Sequence, residues 1–270
     1  HSPAPNGRRK DRMDSSRQAS LAPSPELTPD LAQELAPWLA LNTSACCVLE
    51  VGGFRPTGNP ESSHFGLPPL MAPEETWPLD SAGQPMQFIA QLNLAQAPWR
   101  PDALKDAAML QFFVGEKFIE SSCALETWAI RLRADLAGLV PRQQPPFHDD
   151  AWIGKGFEAR WLQPQQDHPC YDDSSMRLPE GMEDFPEEAH GLCSGRTKLG
   201  GYAKSLQHEI AFLRPVQDED GNWLPSADEP EYLLQIDSEG KAGLNWVDGG
   251  IVYLGRNPTT GQWSVHCQFY

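Results

Sequence analysis

The chain has 270 residues and a mass of 30.0 kDa, enough to bury one large core or two halves packed against each other. Its 37 acidic and 21 basic residues give a net charge of −16, a field that repels phosphate backbones and so excludes nucleic acid as a partner, while drawing in a basic protein. No apolar run approaches the roughly 18 residues of a membrane-spanning helix, no apolar signal core opens the chain, and six scattered cysteines do not make a disulfide scaffold, so a soluble cytoplasmic protein with reduced thiols is expected.

The 26 prolines and 22 glycines disfavour long helices and favour many short strands joined by turns. Residues 1–25 are polar, basic and rich in Ser and Pro, too poor in apolar side chains to repay ordering, and are expected to form a disordered tail. The chain begins at His1, and the stretch before Met13 is expected to be non-native sequence. Thr28-Pro29-Asp30 then supplies a cap, a proline at the first helical position and an acid in the first turn, with Leu31, Leu35, Trp38 and Leu39 on one face. Pro37 should kink or end this short helix. Cys46 to Val51 reads as a buried strand closed by Gly52-Gly53, and Trp128 to Arg133 and Phe157 to Trp161 alternate as half-buried strands. Between Gln163 and Pro186 the chain turns to Asp, Glu, Pro and Gln, the pattern of a long acidic loop or insertion. The acidic Gln217-to-Asn222 stretch looks like the tip of a β-excursion, because Asp-Gly-Asn supplies turn chemistry.

One unit is written twice, about 140 residues apart. Phe88-Ile89-Ala90-Gln91-Leu92-Asn93 followed by Ala108 to Phe113 is matched by Tyr232-Leu233-Leu234-Gln235-Ile236-Asp237 followed by Gly250 to Leu254. Each pair is preceded by a glycine turn, His64-Phe65-Gly66-Leu67-Pro68 and Lys198-Leu199-Gly200-Gly201-Tyr202. These strands, with "NWVDGGIVYLG" and the terminal "WSVHCQFY", resemble the YwqG-type family, a bacterial group named as a domain of unknown function, over roughly Ser62 to Tyr270. The resemblance implies a mainly β, internally duplicated protein, distantly similar to eukaryotic chaperone-like proteins of ribosome biogenesis, and brings no catalytic residues with it. The fold expected is therefore mainly β (α+β), two tandem β repeats packed together behind a short N-terminal helix. Residues 26–162 are assigned to the first repeat, 163–195 to an acidic linker and 196–270 to the second. Leu67 stands where the family pattern has a second glycine, so the first turn should be built differently from the second.

Four ligand-type side chains, His168, Cys170, His190 and Cys193, fall in two pairs spaced compatibly with tetrahedral zinc, although His168-Pro169-Cys170 leaves only one residue between ligands. Loop packing is the favoured reading, with no metal and no cofactor. Gly191-Leu192-Cys193-Ser194-Gly195 has the string of a nucleophile elbow without a strand before it or a helix after it. His148-Asp149-Asp150 and Asp172-Asp173 read as solvated loop charge. Gln91, Asn93, Gln235 and Asp237 are polar groups on strands with apolar neighbours, which must find partners inside. They either complete hydrogen bonds within and between repeats or line a groove that takes an extended peptide.

The expected function is non-catalytic protein binding, through Asp172, Asp173, Glu183, Asp184, Glu187, Glu188, Gln91, Gln235 and Asp237, to a basic partner. YwqG-like proteins tend to be encoded with secreted polymorphic toxins, so the resemblance implies an immunity protein that neutralises a toxin stoichiometrically. The alternatives are a chaperone-like module holding an extended basic client segment and, resting on the four His and Cys residues alone, a metal-dependent or cysteine hydrolase.

Overall fold

A computed structural model describes residues 27–147, 152–210, 212, 216–217, 223–224 and 230–270. The 1–25 tail, the His148-Asp149-Asp150 cluster and the Asp218-to-Asn222 tip lie outside the described residues. The fold is mostly β. Two short helices, α1 (Pro29–Glu34) and α2 (Ala36–Leu41), precede β1 (Ser44–Val51), β2 (Ser63–Phe65), β3 (Leu70–Met71), β4 (Gln87–Asn93), β5 (Met109–Val114), β6 (Trp128–Arg133) and β7 (Val140–Pro141). Then come β8 (Phe157–Trp161), β9 (Gln165–Asp167), β10 (Lys198–Gly200), β11 (Val216–Gln217), β12 (Trp223–Leu224), β13 (Glu231–Asp237), β14 (Ile251–Arg256) and β15 (Trp263–Gln268).

The Thr28 hydroxyl accepts from the Leu31 amide as the cap, and Pro37 divides the helical stretch into two six-residue pieces by seeding a new first turn. Together they carry Leu35 and Trp38 into a small core with Ala189, against which Met176, Met182, Phe185 and Leu192 pack. The acidic stretch after β9 is thus pinned by its scattered apolar residues to the N-terminal helices. Asn42 fixes it further, donating to the Arg177 carbonyl at 2.6 Å and accepting from the Arg177 amide at 2.7 Å.

Among the described residues the main sheet runs β15-β14-β13-β10-β1-β8-β2-β4-β5-β6, antiparallel at every step, with β9 added beside the start of β1. It curls until it is nearly closed. Rings from the two halves then meet inside: Phe112 of β5 lies 6.5 Å from Trp246, and Phe118 lies 5.8 Å from it. The run Met-Leu-Gln-Phe-Phe-Val in β5 is apolar on both faces because both are covered. Leu110 and Phe112 enter the main core, while Phe113 packs with Phe88, Met86 and Trp77 in a second cluster.

The duplication is visible in the pairing. β4 pairs with β5 and β5 with β6, as β13 pairs with β14 and β14 with β15, and an extra residue interrupts the register at Ile89 and again at Leu233. If β8, which the 26–162 assignment puts in the first repeat, is counted instead as the strand that opens the second half, the first strands are exchanged. β1 pairs with β10 through Cys46–Val48, β8 pairs with β2, and β1 meets β8 with Glu50 opposite Arg160. The strand that opens one half completes the sheet of the other, so neither half is a finished sheet alone.

Gln91 of β4 and Gln235 of β13 sit at matching places, opposite His64 and Lys198 respectively. Gln91 donates to the carbonyls of Pro60 and Ser62 and accepts from the Leu70 amide; Gln235 donates to those of Ser194 and Arg196 and accepts from the Lys204 amide. Ser63 Oγ accepts from the Asn93 amide, as Thr197 Oγ1 does from Asp237. The Leu70 carbonyl accepts from Gln111, and the Lys204 carbonyl from Tyr253, a glutamine-to-tyrosine change that keeps the bond. Both glutamines are fully buried and spend their amides holding the turn between two strands.

The two turns differ where Leu67 and Gly201 differ. Gly66 and Gly200 have φ of 62° and 66°, and Gly201 continues at 70°, whereas Leu67 is not left-handed. A side chain at Gly201 would collide with the Asp167 carboxylate.

Candidate functional site

A cleft of about 440 Å³ opens on the second half, between the turn after β9, the segment that follows β10 and the start of β13. Asp172, Asp173, Glu209 and Glu231 bring four carboxylates to it, Tyr202, Tyr232, Ile210 and Phe212 supply apolar wall, and among the described residues no basic side chain lines it. Such a site offers charge and aromatic faces to a cation.

Its wall is held from below. Asp167, at the end of β9, is fully buried and accepts from the Ser194 and Tyr202 amides, each at 2.9 Å, and from the Lys198 ammonium at 2.7 Å. Lys198 is also fully buried and donates to the Ser194 carbonyl at 2.6 Å. Burial opposes its charge, but Cys193 and Asp167 hold the ammonium above its ordinary value. Further along, Gln235 and Tyr253 grip the backbone of Lys204, while Gln268 accepts from the Leu206 amide at 2.7 Å and donates to the His208 carbonyl at 2.7 Å. Glu209 ties the two walls together by accepting from the Ser174 amide at 3.0 Å, and Asp173 turns its own loop by accepting from the Ser175 amide. Burial, and after it the Asp173 charge, raises the Tyr202 hydroxyl, so this wall stays a neutral donor.

The first half shows what this position becomes when it is filled from within. Counting on from the matching Leu70 and Lys204, Glu75 corresponds to Glu209. Glu75 is met by Arg131 at 3.0 Å and Arg133 at 2.7 Å, both from β6. The matching places on β15 are His266 and Gln268, so Glu209 has no arginine of the same kind. Among the described residues no guanidinium stands at these two matching places, and the acidic cleft opens on that half.

Of the acidic residues singled out in the sequence, Asp172 and Asp173 line the cleft, while Glu183, Asp184, Glu187 and Glu188 are exposed on the same segment outside it. Gln91 and Gln235 lie beneath the sheet turns without surface of their own. Asp237 stands next to Glu239; burial and then the Glu239 charge push its carboxyl up to about 8, and burial pushes Glu239 up to about 7. The cleft residues missed in the sequence come from two places, Tyr202 and Glu209 from the segment after β10 and Glu231 and Tyr232 from the start of β13; a strand beginning Glu-Tyr beside the repeated Gln235 motif was the available signal.

The four His and Cys residues separate. Cys170 and Cys193 meet beside the Ala203 carbonyl, where a hydrogen bond from Cys193 lowers the Cys170 thiol to about 7 and leaves Cys193 well raised. His168 instead contacts the Asn42 carbonyl at 2.9 Å under Trp38, and His190 is exposed. Among the described residues no three His, Cys, Asp or Glu side chains converge as metal ligands would. The Gly191–Gly195 string follows a short 3₁₀ turn and leads into β10, and Cys193 is buried.

Fold and cleft together define an internally repeated, mostly β protein with an acidic, apolar-walled cleft on its second half. The chain belongs to a family described as a domain of unknown function, DUF1963, whose model matches residues 63–255. No curated protein matches the chain. No helix among the described residues is long and apolar enough to cross a membrane.

Proposed function

We propose that this protein is a non-catalytic, cytoplasmic binding protein whose acidic cleft receives a basic segment of a protein partner. The observation that carries the reading is the set of four carboxylates, Asp172, Asp173, Glu209 and Glu231, around an apolar wall that, among the described residues, no basic side chain lines. The unfilled counterpart of the Glu75 and Arg133 pair supports it, as does the net charge of −16. The YwqG-type resemblance makes an immunity protein against a basic secreted toxin its most concrete form. A chaperone-like role, holding an extended basic client, draws support from β6 and β15, which among the described residues pair on one side only and leave an edge for an added strand. The test is affinity capture from the native host with the wild-type chain and with D172K/D173K. A basic protein retained by the first and lost by the second supports the reading; equal recovery by both contradicts it. An immunity protein requires the whole folded partner, whereas a chaperone-like module also retains a short basic peptide from it.

A further inference from the structure

We infer that Cys123 and Cys267 are a redox modification site, two thiols placed to form a disulfide that joins the two ends of the curled sheet. Their sulfurs stand 2.9 Å apart, within about 0.9 Å of a covalent S–S bond, though 144 residues separate them in sequence. Cys123 lies in the connection between β5 and β6 of the first half and Cys267 on β15 of the second, so the bond would tie the approach to one edge strand to the other edge strand.

Backbone geometry supplies an independent observation. Ser122 and Cys123 are consecutive non-glycine residues in the left-handed region, with φ of 53° and 59°. That conformation is costly and persists only where surroundings impose it. Here the Cys123 amide donates to the Phe118 carbonyl, and its carbonyl accepts from the Trp128 indole, each at 2.9 Å, which hold the thiol against β15. The pair is also asymmetric in access: Cys123 is buried while Cys267 is partly exposed. The hydrogen bond from Cys123 lowers the Cys267 thiol, favouring its thiolate as the attacking group.

The co-reactant is a small-molecule disulfide such as oxidised glutathione. The Cys267 thiolate attacks one of its sulfurs, forming a mixed disulfide and expelling one glutathione thiolate. Cys123 then loses its proton to water and attacks the Cys267 sulfur, expelling the second glutathione. Two protein thiols are oxidised, and one disulfide is reduced to two thiols. The product closes residues 123–267, just over half of the 270-residue chain, in one covalent loop and locks the halves together.

The experiment treats the full chain with oxidised glutathione, quenches with acid and alkylates under denaturing conditions. Labelling should fall from six thiols to four, and peptide mapping should find Cys123 joined to Cys267. The thermal midpoint should rise by several degrees and return on reduction, and it should not respond in C267S. Six labelled thiols, glutathione adducts without an internal bond, or a bridge mapped to Cys170 and Cys193 would each overturn the assignment.

Discussion

Replacing Gln235 with leucine probes both the duplication and the cleft, because this one amide holds the Lys204 backbone in place. The side chain donates to the Arg196 carbonyl at 2.9 Å and, more weakly, to the Ser194 carbonyl at 3.3 Å, and it accepts from the Lys204 amide at 3.0 Å and the Tyr232 hydroxyl at 3.2 Å. Leucine fills nearly the same volume but takes away the side-chain partner of the Lys204 amide and of the Arg196 carbonyl at a fully buried position. At roughly 1–3 kcal/mol for each stranded group, and with some return from burying the new apolar surface, the expected loss is about 3 kcal/mol. That is a large part of the roughly 5–15 kcal/mol that keeps a domain folded. The matching Q91L should lose a similar amount, since Gln91 makes the same backbone contacts one repeat earlier. Urea unfolding measures both, the midpoint moving while the slope stays constant. If either variant loses less than about 1 kcal/mol, or the two differ severalfold, the equivalence of the two glutamines is structural coincidence and the reasoning fails.

Lys198→Met strands the fully buried Asp167 carboxylate and should cost about 3–5 kcal/mol in the same assay, whereas the double change to K198M/D167L should recover much of it; a K198M variant as stable as wild type would refute the ion pair as a structural element. Asp237 gives a pH signature. Its folded-state pKa is raised from 3.8 to about 8, so its contribution to stability is complete below about pH 4 and is lost as pH climbs toward 8, with Glu239 adding in the same direction. D237N removes that titration and should lose less stability than wild type between pH 5 and 8. Identical urea-midpoint profiles would show that this carboxyl is not held protonated.

Much of the fold was legible because its strands carry local signals. The β4, β5, β13 and β14 segments were readable from apolar runs with a repeated glutamine, and the helix from Thr28, Pro29 and Pro37. The exchange of β1 and β8 was not, because pairing partners far apart in sequence leave no mark on either strand. Nor was the packing of the acidic segment, since Met176, Met182, Phe185 and Leu192 follow neither helical nor strand spacing. The cleft was half visible: Asp172 and Asp173 form a local cluster, but Glu209, Glu231 and the tyrosines reach it only through the turns that Asp167 and Gln235 shape. Cys123 and Cys267 looked like isolated thiols, as residues at opposite ends of a sheet must until it curls.

The most direct test of the central claim is the rate at which the captured basic partner associates with the wild-type chain as salt is raised. Screening shrinks from about 10 Å at 0.1 M to about 3 Å at 1 M, so a partner steered to the acidic cleft should associate at least tenfold more slowly at the higher salt, with dissociation changing much less. D172K/D173K should already be slow at low salt and respond weakly to its increase. An association rate that ignores salt, or a charge-reversed cleft that associates as fast as wild type, would contradict the account and place the binding face elsewhere on the protein.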